Sequence, residues 1–330
     1  MYDTTFLVRN LKLYIYVMFI HLMKDPIKPK RSTGRWWIYG GLLLLAVGFV
    51  LLIAFTFLLS EGFPDLFGQC IGVVSIGQEL VTEGVPPGVF GEGTAGSEEI
   101  AAIIRGLNDR DDIAAVVFVI NSPGGSVVAT HEVYDAIQDV SRPKVAYFRE
   151  VAASGGYYIA TPTDYIVSDP DALTGSIGVV ATFTEMSGLL DDIGVDVTTV
   201  QSGAHKDIGS MFREMSDEER AIFQALIDEV FEEFQSVVIE NRGDRLDREA
   251  FDEILDGRVL SGRQAYRIGM VDALGRKQDA INKAAELAGI PSENIQTCDI
   301  PILEAPSGLF NLQSIRSLFD TSQRVELRYG

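Results

Sequence analysis

A run of 24 residues without a charge, Trp36 to Leu59 (WWIYGGLLLLAVGFVLLIAFTFLL), constrains this chain more than any other feature. A helix needs about 20 apolar residues to cross the hydrocarbon of a bilayer, so the run predicts one transmembrane span. Lys24, Lys28, Lys30, Arg31 and Arg35 precede it, and Glu61 and Asp65 follow. The positive-inside bias then keeps residues 1–35 in the cytoplasm and the body beyond the span outside. The competing reading is a cleaved signal peptide. Against it stand the long apolar core and Phe57-Leu58-Leu59-Ser60-Glu61, which lacks a small-x-small cleavage pattern. Leu11 to Met23 is apolar but short and broken by Lys12, and reads either as interfacial or as an over-extended start with Met23 the real one.

Charge separates head from body. Residues 1–60 hold seven of the 27 basic residues and two of the 47 acidic ones, which leaves the body at a net −25. A surface that tracks a nucleic-acid backbone needs a basic face, so no nucleic-acid partner is expected. The acidic excess fits an ordinary acidic ectodomain or adaptation to high salt equally well. Cys70 and Cys298 are too few for a disulfide framework or a multi-cysteine zinc ribbon, and one pair does not fix the redox compartment. With His21, His131 and His205 as the only histidines, histidine-rich metal sites are excluded too, and neither metal nor other cofactor is expected. At 330 residues, 47% of them hydrophobic, the chain can bury one large core or two ordinary ones.

From Ile71 onward strand-like runs alternate with amphipathic helices, which predicts a layered α/β domain. Ile71 to Ile76 is a first strand. Ala114 to Ile120 (AAVVFVI) is apolar throughout, as a strand covered on both faces should be. Asn121-Ser-Pro-Gly-Gly125 turns the chain into a helix from Val127 to Val140. Lys144 to Phe148 is the next strand, Ala152-Ala-Ser-Gly-Gly156 opens another helix, and Tyr165 to Val167 is again a strand. Ser97 is a candidate helix cap, with Glu98 and Glu99 favourable in the first turn. Val195 to Val200 reads as a strand. Ser216 and Glu219 form a capping box for a helix with an apolar stripe at Ile222, Phe223, Leu226, Ile227, Val230, Phe234 and Val238. Further helices are predicted at Asp247 to Leu255, Gly262 to Ile268 and Asp279 to Ala288, and the tail from Pro306 is poorly specified.

Candidate chemistry lies in few places. Gly91-Glu-Gly-Thr-Ala-Gly96 matches a dinucleotide fingerprint literally, but Val85-Pro-Pro-Gly stands where the preceding strand should be. His131 on a helix and His205 in a loop are the available base histidines, with structural or exposed roles as the default. Without a histidine the precedented base for a serine nucleophile is lysine. After residue 60 the lysines are Lys144, Lys206, Lys277 and Lys283. Lys206 differs from the rest in its loop of small residues, Ser202 to Gly209, which can approach another backbone closely; the plainer reading is a loop lysine paired with Asp207. Ser154, flanked by Ala152-Ala153 and Gly155-Gly156 at a strand-to-helix turn, is either a helix N-cap or a projected nucleophile with free amides beside it. Gly124 and Gly125 can present unshielded N–H groups to a ligand.

Five ordered segments, NSPGGSV (121–127), VAASGGYYIA (151–160), LTGSIGVV (173–180), SGAHKDIGS (202–210) and DGRVLSGRQAYRIGMVDALG (256–275), resemble the signal peptide peptidase A family of membrane-anchored Ser-Lys proteases, within the Clp protease/crotonase superfamily. The resemblance runs from about residue 71 to 288. It implies a curved spiral of βαβ units, Ser154 as nucleophile, Lys206 as general base, Gly124 and Gly125 as oxyanion-hole amides, and Ser176 hydrogen-bonded to the lysine amine. It also implies peptide substrates, namely remnant signal peptides and other chains released at the membrane, and a homo-oligomer, since long members carry two modules where this chain has one. The expected organisation is a cytoplasmic segment (1–35), an anchor (36–59), a linker (60–70), a protease domain (71–290) and a C-terminal strand and tail (291–330). The alternatives are a crotonase-like acyl-CoA enzyme and a catalytically inactive membrane scaffold.

Overall fold

The computed structural model describes residues 39–40, 43–50, 69–85, 93–302 and 328–329. The chain divides into two compact units, Met1–Leu66 and Phe67–Gly330. In the first, residues 39–40 and 43–50 are helical with Leu43, Leu44 and Leu45 exposed. Most of the predicted span lies outside the described residues, as do the predicted segments 1–35 and 60–68 and the tail over 303–327. Among the described residues no helix is long and apolar enough to cross a membrane.

The second unit is a mixed α/β domain on a mostly parallel sheet. It begins with β1 (Cys70–Ile76), α1 (Ser97–Gly106), β2 (Ile113–Ser122) and the short β3 (Gly125–Ser126). Then come α2 (Val127–Gln138), β4 (Lys144–Ala153), α3 (Gly155–Tyr158), β5 (Tyr165–Ser168), β6 (Leu173–Gly175) and α4 (Ser187–Asp192). The long α5 (Asp217–Arg242) leads to α6 (Arg248–Asp252), β7 (Val259–Ser261), α7 (Gly262–Arg267), β8 (Ala273–Leu274), α8 (Lys277–Leu287), β9 (Thr297–Ile300) and β10 (Arg328–Tyr329). The sheet runs β7-β6-β4-β2-β1-β9, with β5 also on β4 and β8 on β5. Its pairs are parallel except β6 with β7.

The unbroken apolar run in β2 follows from cover on both faces. Val116, Phe118 and Ile120 enter a core with Val74, Ile104 of α1 and Val133 of α2, while Val117 and Val119 pack with Val73, Val145 and the α8 residues Ala280, Ile281 and Ala284. Side chains alternate across a strand, so each layer takes every second residue. Cys70 and Cys298 close a disulfide between β1 and the edge strand β9.

One feature of the sheet positions the site. The first half of β4, Val145 to Phe148, pairs with β5, whereas Val151 to Ala153 pairs with β6. The sheet therefore splits at Arg149 and Glu150, both exposed. Beyond the split Ser122 pairs with Ala152, and Ala153 with Gly175. Three parallel strands thus end side by side, which is where open α/β sheets gather functional groups.

Two expectations are corrected. Val195 to Val200 is not a strand; Val195, Val197 and Val200 are exposed, Val200 at 94%, since among the described residues no strand pairs with the segment. Ser97 does not cap α1. Gly96 is the cap residue and its N–H donates to the Glu99 carboxylate at 3.1 Å, while the Ser97 hydroxyl bonds to Glu132. The Gly91 to Gly96 fingerprint, not expected to be a dinucleotide site because Val85-Pro-Pro-Gly precedes it, lies partly outside the described residues; within it Thr94 bridges antiparallel to Val85. By contrast the capping box of α5 is present, with Glu219 N–H donating to Ser216 Oγ at 3.2 Å and Ser216 N–H to Glu219 at 3.0 Å.

Candidate active site

Ser154 stands between β4 and α3 with φ 54° and ψ −124°. A side chain at positive φ is strained by about 1–3 kcal/mol, a conformation that persists only where the surroundings impose it. Here they do. Ser154 N–H donates to Gly175 O at 2.8 Å, fixing the turn to β6, and Ser154 O accepts from the amides of Tyr157 and Tyr158. Tyr157 is fully buried, its hydroxyl donating to Met270 O at 3.0 Å. Burial pushes that phenol well above its ordinary range, so it stays a neutral structural donor.

The small residues around Ser154 are required by close approach. A Cβ on Gly124, whose φ is +106°, would lie 2.8 Å from the Gly155 nitrogen and 3.0 Å from Ser154 Cβ. One on Gly155 would meet Thr130 Oγ1 of α2 at 2.5 Å, and one on Gly156 the Ser122 carbonyl at 2.4 Å. A Cβ on Gly125 would likewise collide with the Leu80 carbonyl oxygen. Leu80 N–H donates to Gly124 O, and Ser126 N–H to Leu80 O.

Ser154 is fully buried, and its Oγ is a buried side-chain polar atom without a hydrogen-bond partner. An unmet buried hydroxyl costs about 1–3 kcal/mol and calls for an explanation. Ser176, one residue past β6, is the other described non-glycine residue with positive φ, 51°, and is buried too. The strand register puts it beside Ser154, and its N–H donates to Arg258 O at 2.9 Å. The Gly124 amide donates to Ser122 Oγ at 3.2 Å, so in this state that N–H is occupied. Over the same turn β10 lies antiparallel on β3, with Tyr329 opposite Gly125 and Arg328 opposite Ser126.

Ser154, Ser176, Gly124 and Gly125 therefore come together, and Lys206 does not join them. Lys206 is exposed in its loop, and no hydrogen bond links it to Ser154. Nor does it pair with Asp207. That carboxylate is taken by Arg213, through Nε and Nη2 at 2.8 Å each, and the bond holds the Asp207 carboxyl below its usual range. Arg213 also grips Glu219, whose carboxyl it lowers to about 2 together with the Ser216 amide. The histidines lie elsewhere: His131 Nε2 is 3.4 Å from Glu233 and its ring packs on Tyr158, while His205 Nε2 is 3.7 Å from Glu218. Sequence reasoning missed Arg213, whose only signal was its place between the lysine loop and the capping box.

The family model for peptidase family S49 matches residues 136–291, and that for Clp protease residues 93–166. A Methanocaldococcus jannaschii protein named as a protease is 33% identical over 283 residues, 83% of this chain and 89% of its own length. A signal peptide peptidase SppA of Enterococcus faecium is 34% identical over 182 residues, 54% of this chain and 52% of its own length. Protease 4 of Haemophilus influenzae is 32% identical over 59% of this chain and 32% of its own length.

Proposed function

From the premise that this chain belongs to peptidase family S49, as a signal peptide peptidase A relative within the Clp protease superfamily, we propose that it is a membrane-anchored endopeptidase that uses Ser154 and Lys206 on remnant signal peptides and other peptides released at the membrane. The observation that carries this reading is the Ser154 hydroxyl, held at positive φ, buried and unpartnered, at the start of a helix. Ser154 Oγ attacks the scissile carbonyl and Lys206, in its neutral form, takes the proton and later delivers it to the leaving amine. The tetrahedral oxyanion is received at the Gly124-Gly125 turn, where the Gly124 N–H must leave Ser122 Oγ to serve. Ser176 orients the lysine amine. The edge of β3 accepts an extended main chain, here that of Arg328 and Tyr329, and a substrate strand can take the same place.

The dyad is completed between protomers. Support comes from the separation of an exposed Lys206 from a buried Ser154, and from the uncovered apolar side chains of Leu189, Ile193, Val197, Val200 and Ile222 in the stretch that carries the lysine loop. The outward location rests on the basic flank before Trp36, and the Cys70–Cys298 bond suits it because disulfides persist in oxidising surroundings.

The test is hydrolysis of synthetic signal peptides by the full chain in detergent. Ser154→Ala, Lys206→Ala and Lys206→Arg should fold and lose nearly all turnover, arginine because it keeps its proton. His131→Ala and His205→Ala should stay active, and wild-type activity should climb from acid to mildly alkaline pH. Wild-type turnover in Lys206→Arg, or loss of it in a folded histidine variant, would refute the assignment.

A further inference from the structure

The Arg213 guanidinium has five N–H donors, and all five are engaged. Nε and Nη2 reach Asp207 at 2.8 Å each, Nη1 reaches Glu219 at 2.8 Å and Glu214 O at 3.2 Å, and Nη2 reaches Glu219 at 2.5 Å. The three side chains are 37%, 13% and 3% exposed for Arg213, Asp207 and Glu219. Arg213 thus straps the loop that carries Lys206 to the first turn of α5, through the residue next to the lysine.

That strap has a chemical consequence. A carboxylate near an amine favours the ammonium form, which is useless as a base. Asp207 is the carboxylate nearest Lys206 in the chain, and both its oxygens bond another cation, Arg213. Resting on the Ser-Lys reading above, we propose that Arg213 is a positioning residue for catalysis: by holding the Asp207 carboxylate it leaves the Lys206 amine without an anionic partner and free to shed its proton.

The other charged groups around the loop do not fill that role. His205 and Glu218 face each other at 3.7 Å. Glu219 is held by Arg213 and by Ser216. The segment packed on Gly209 through Phe183, and on Met211 through the Met186 amide, brings Glu185, which is bonded to Ser187. Glu214 offers Arg213 its backbone carbonyl. Among the described residues only Arg213 spans Asp207 and α5, and a lysine there would keep the charge without the fork.

The test is the pH profile of kcat/KM of the full-length protein on a signal peptide. Arg213→Gln frees Asp207, so the acid limb should move about one pH unit towards alkali, lowering activity about tenfold at a fixed pH on that limb and converging with wild type at high pH. Asp207→Asn leaves Arg213 tied to Glu219 and Glu214 O, and should move the limb the other way. Arg213→Gln with Asp207→Asn should return the midpoint to near wild type, and Arg213→Lys should fall between. A loss equal at every pH and not relieved by Asp207→Asn would mean that Arg213 only braces the loop, and would overturn the proposal. Should Arg213→Gln not fold, the acidward displacement in Asp207→Asn decides alone, and an unmoved or alkaline limb there overturns it. Lys206→Ala separates the two readings: turnover that survives it refutes the dyad itself, whereas its loss with an unmoved Arg213→Gln profile refutes only the role of Arg213.

Discussion

At the scale of single residues, the proposed nucleophile is held against its own preferences. Ser154 combines positive φ with a buried hydroxyl that nothing satisfies. Both features cost stability, so function and stability should part company here. Ser154→Ala removes the unmet hydroxyl and should raise the thermal midpoint, by the equivalent of about 1 kcal/mol, while abolishing turnover. Ser154→Gly adds relief of the backbone and should be at least as stable. Calorimetry on the two variants checks this, and a lowered midpoint in both would show that the hydroxyl has a stabilising partner. The motif around Ser154 was legible because Ala and Gly on both sides are what a crowded turn tolerates. The strain at Ser176 was not, since LTGSIG does not reveal which residue crosses to positive φ. Arg213 was illegible for a different reason: its meaning lies in two carboxylates six residues away on either side, and charge runs of that kind usually mark a solvated surface.

At the scale of elements, α5 shows how far local chemistry carries. Ser216 and Glu219 announced its start, and the structure builds the box they predict. Arg213 adds to it, and the depressed Glu219 carboxyl sets the direction of its pH dependence. A carboxyl held lower in the folded state contributes stability that is present above its unfolded value near 4.5 and lost as pH falls through about 2. The first turn of α5 should therefore lose protection from amide exchange within that window, and Glu219→Gln should abolish the transition. Val195 to Val200 marks the limit of such reading. Alternation says that one face wants cover, and says nothing about whether the cover belongs to the same chain. The pairing of β10 with β3 was invisible for a similar reason, as a two-residue strand has no period. A chain ending at Ile302 leaves the β3 edge bare, so its KM for peptides should fall. An unchanged KM would show that β10 does not compete with substrate.

For the whole molecule, the proposed dyad, with Lys206 exposed and Ser154 buried in one chain, predicts that assembly is a condition of activity. Inactive Ser154→Ala and Lys206→Ala chains, mixed and allowed to exchange, should regain activity if each site takes one group from each protomer. A monomer by light scattering with full turnover would exclude this. The class of the fold, a parallel α/β sheet, was readable from AAVVFVI and the repeated strand-turn-helix unit, because burial on both faces leaves a continuous apolar run. The split of the sheet at Arg149 and Glu150 was not, since two partners for one strand are a matter of tertiary register.

The Cys70–Cys298 cross-link has a further consequence. It ties together positions 228 residues apart, nearly the whole length of the second unit, and in the chain-entropy account such a long loop restrains the unfolded ensemble by about 5 kcal/mol. It also makes the enclosed chain a covalent ring. One cut anywhere inside a ring opens it without releasing a piece. A protease that nicks itself or its neighbours at an exposed loop between the two cysteines should therefore migrate undivided on a non-reducing gel and part into two fragments only after reduction, a molecule able to carry its own scars while still holding its shape.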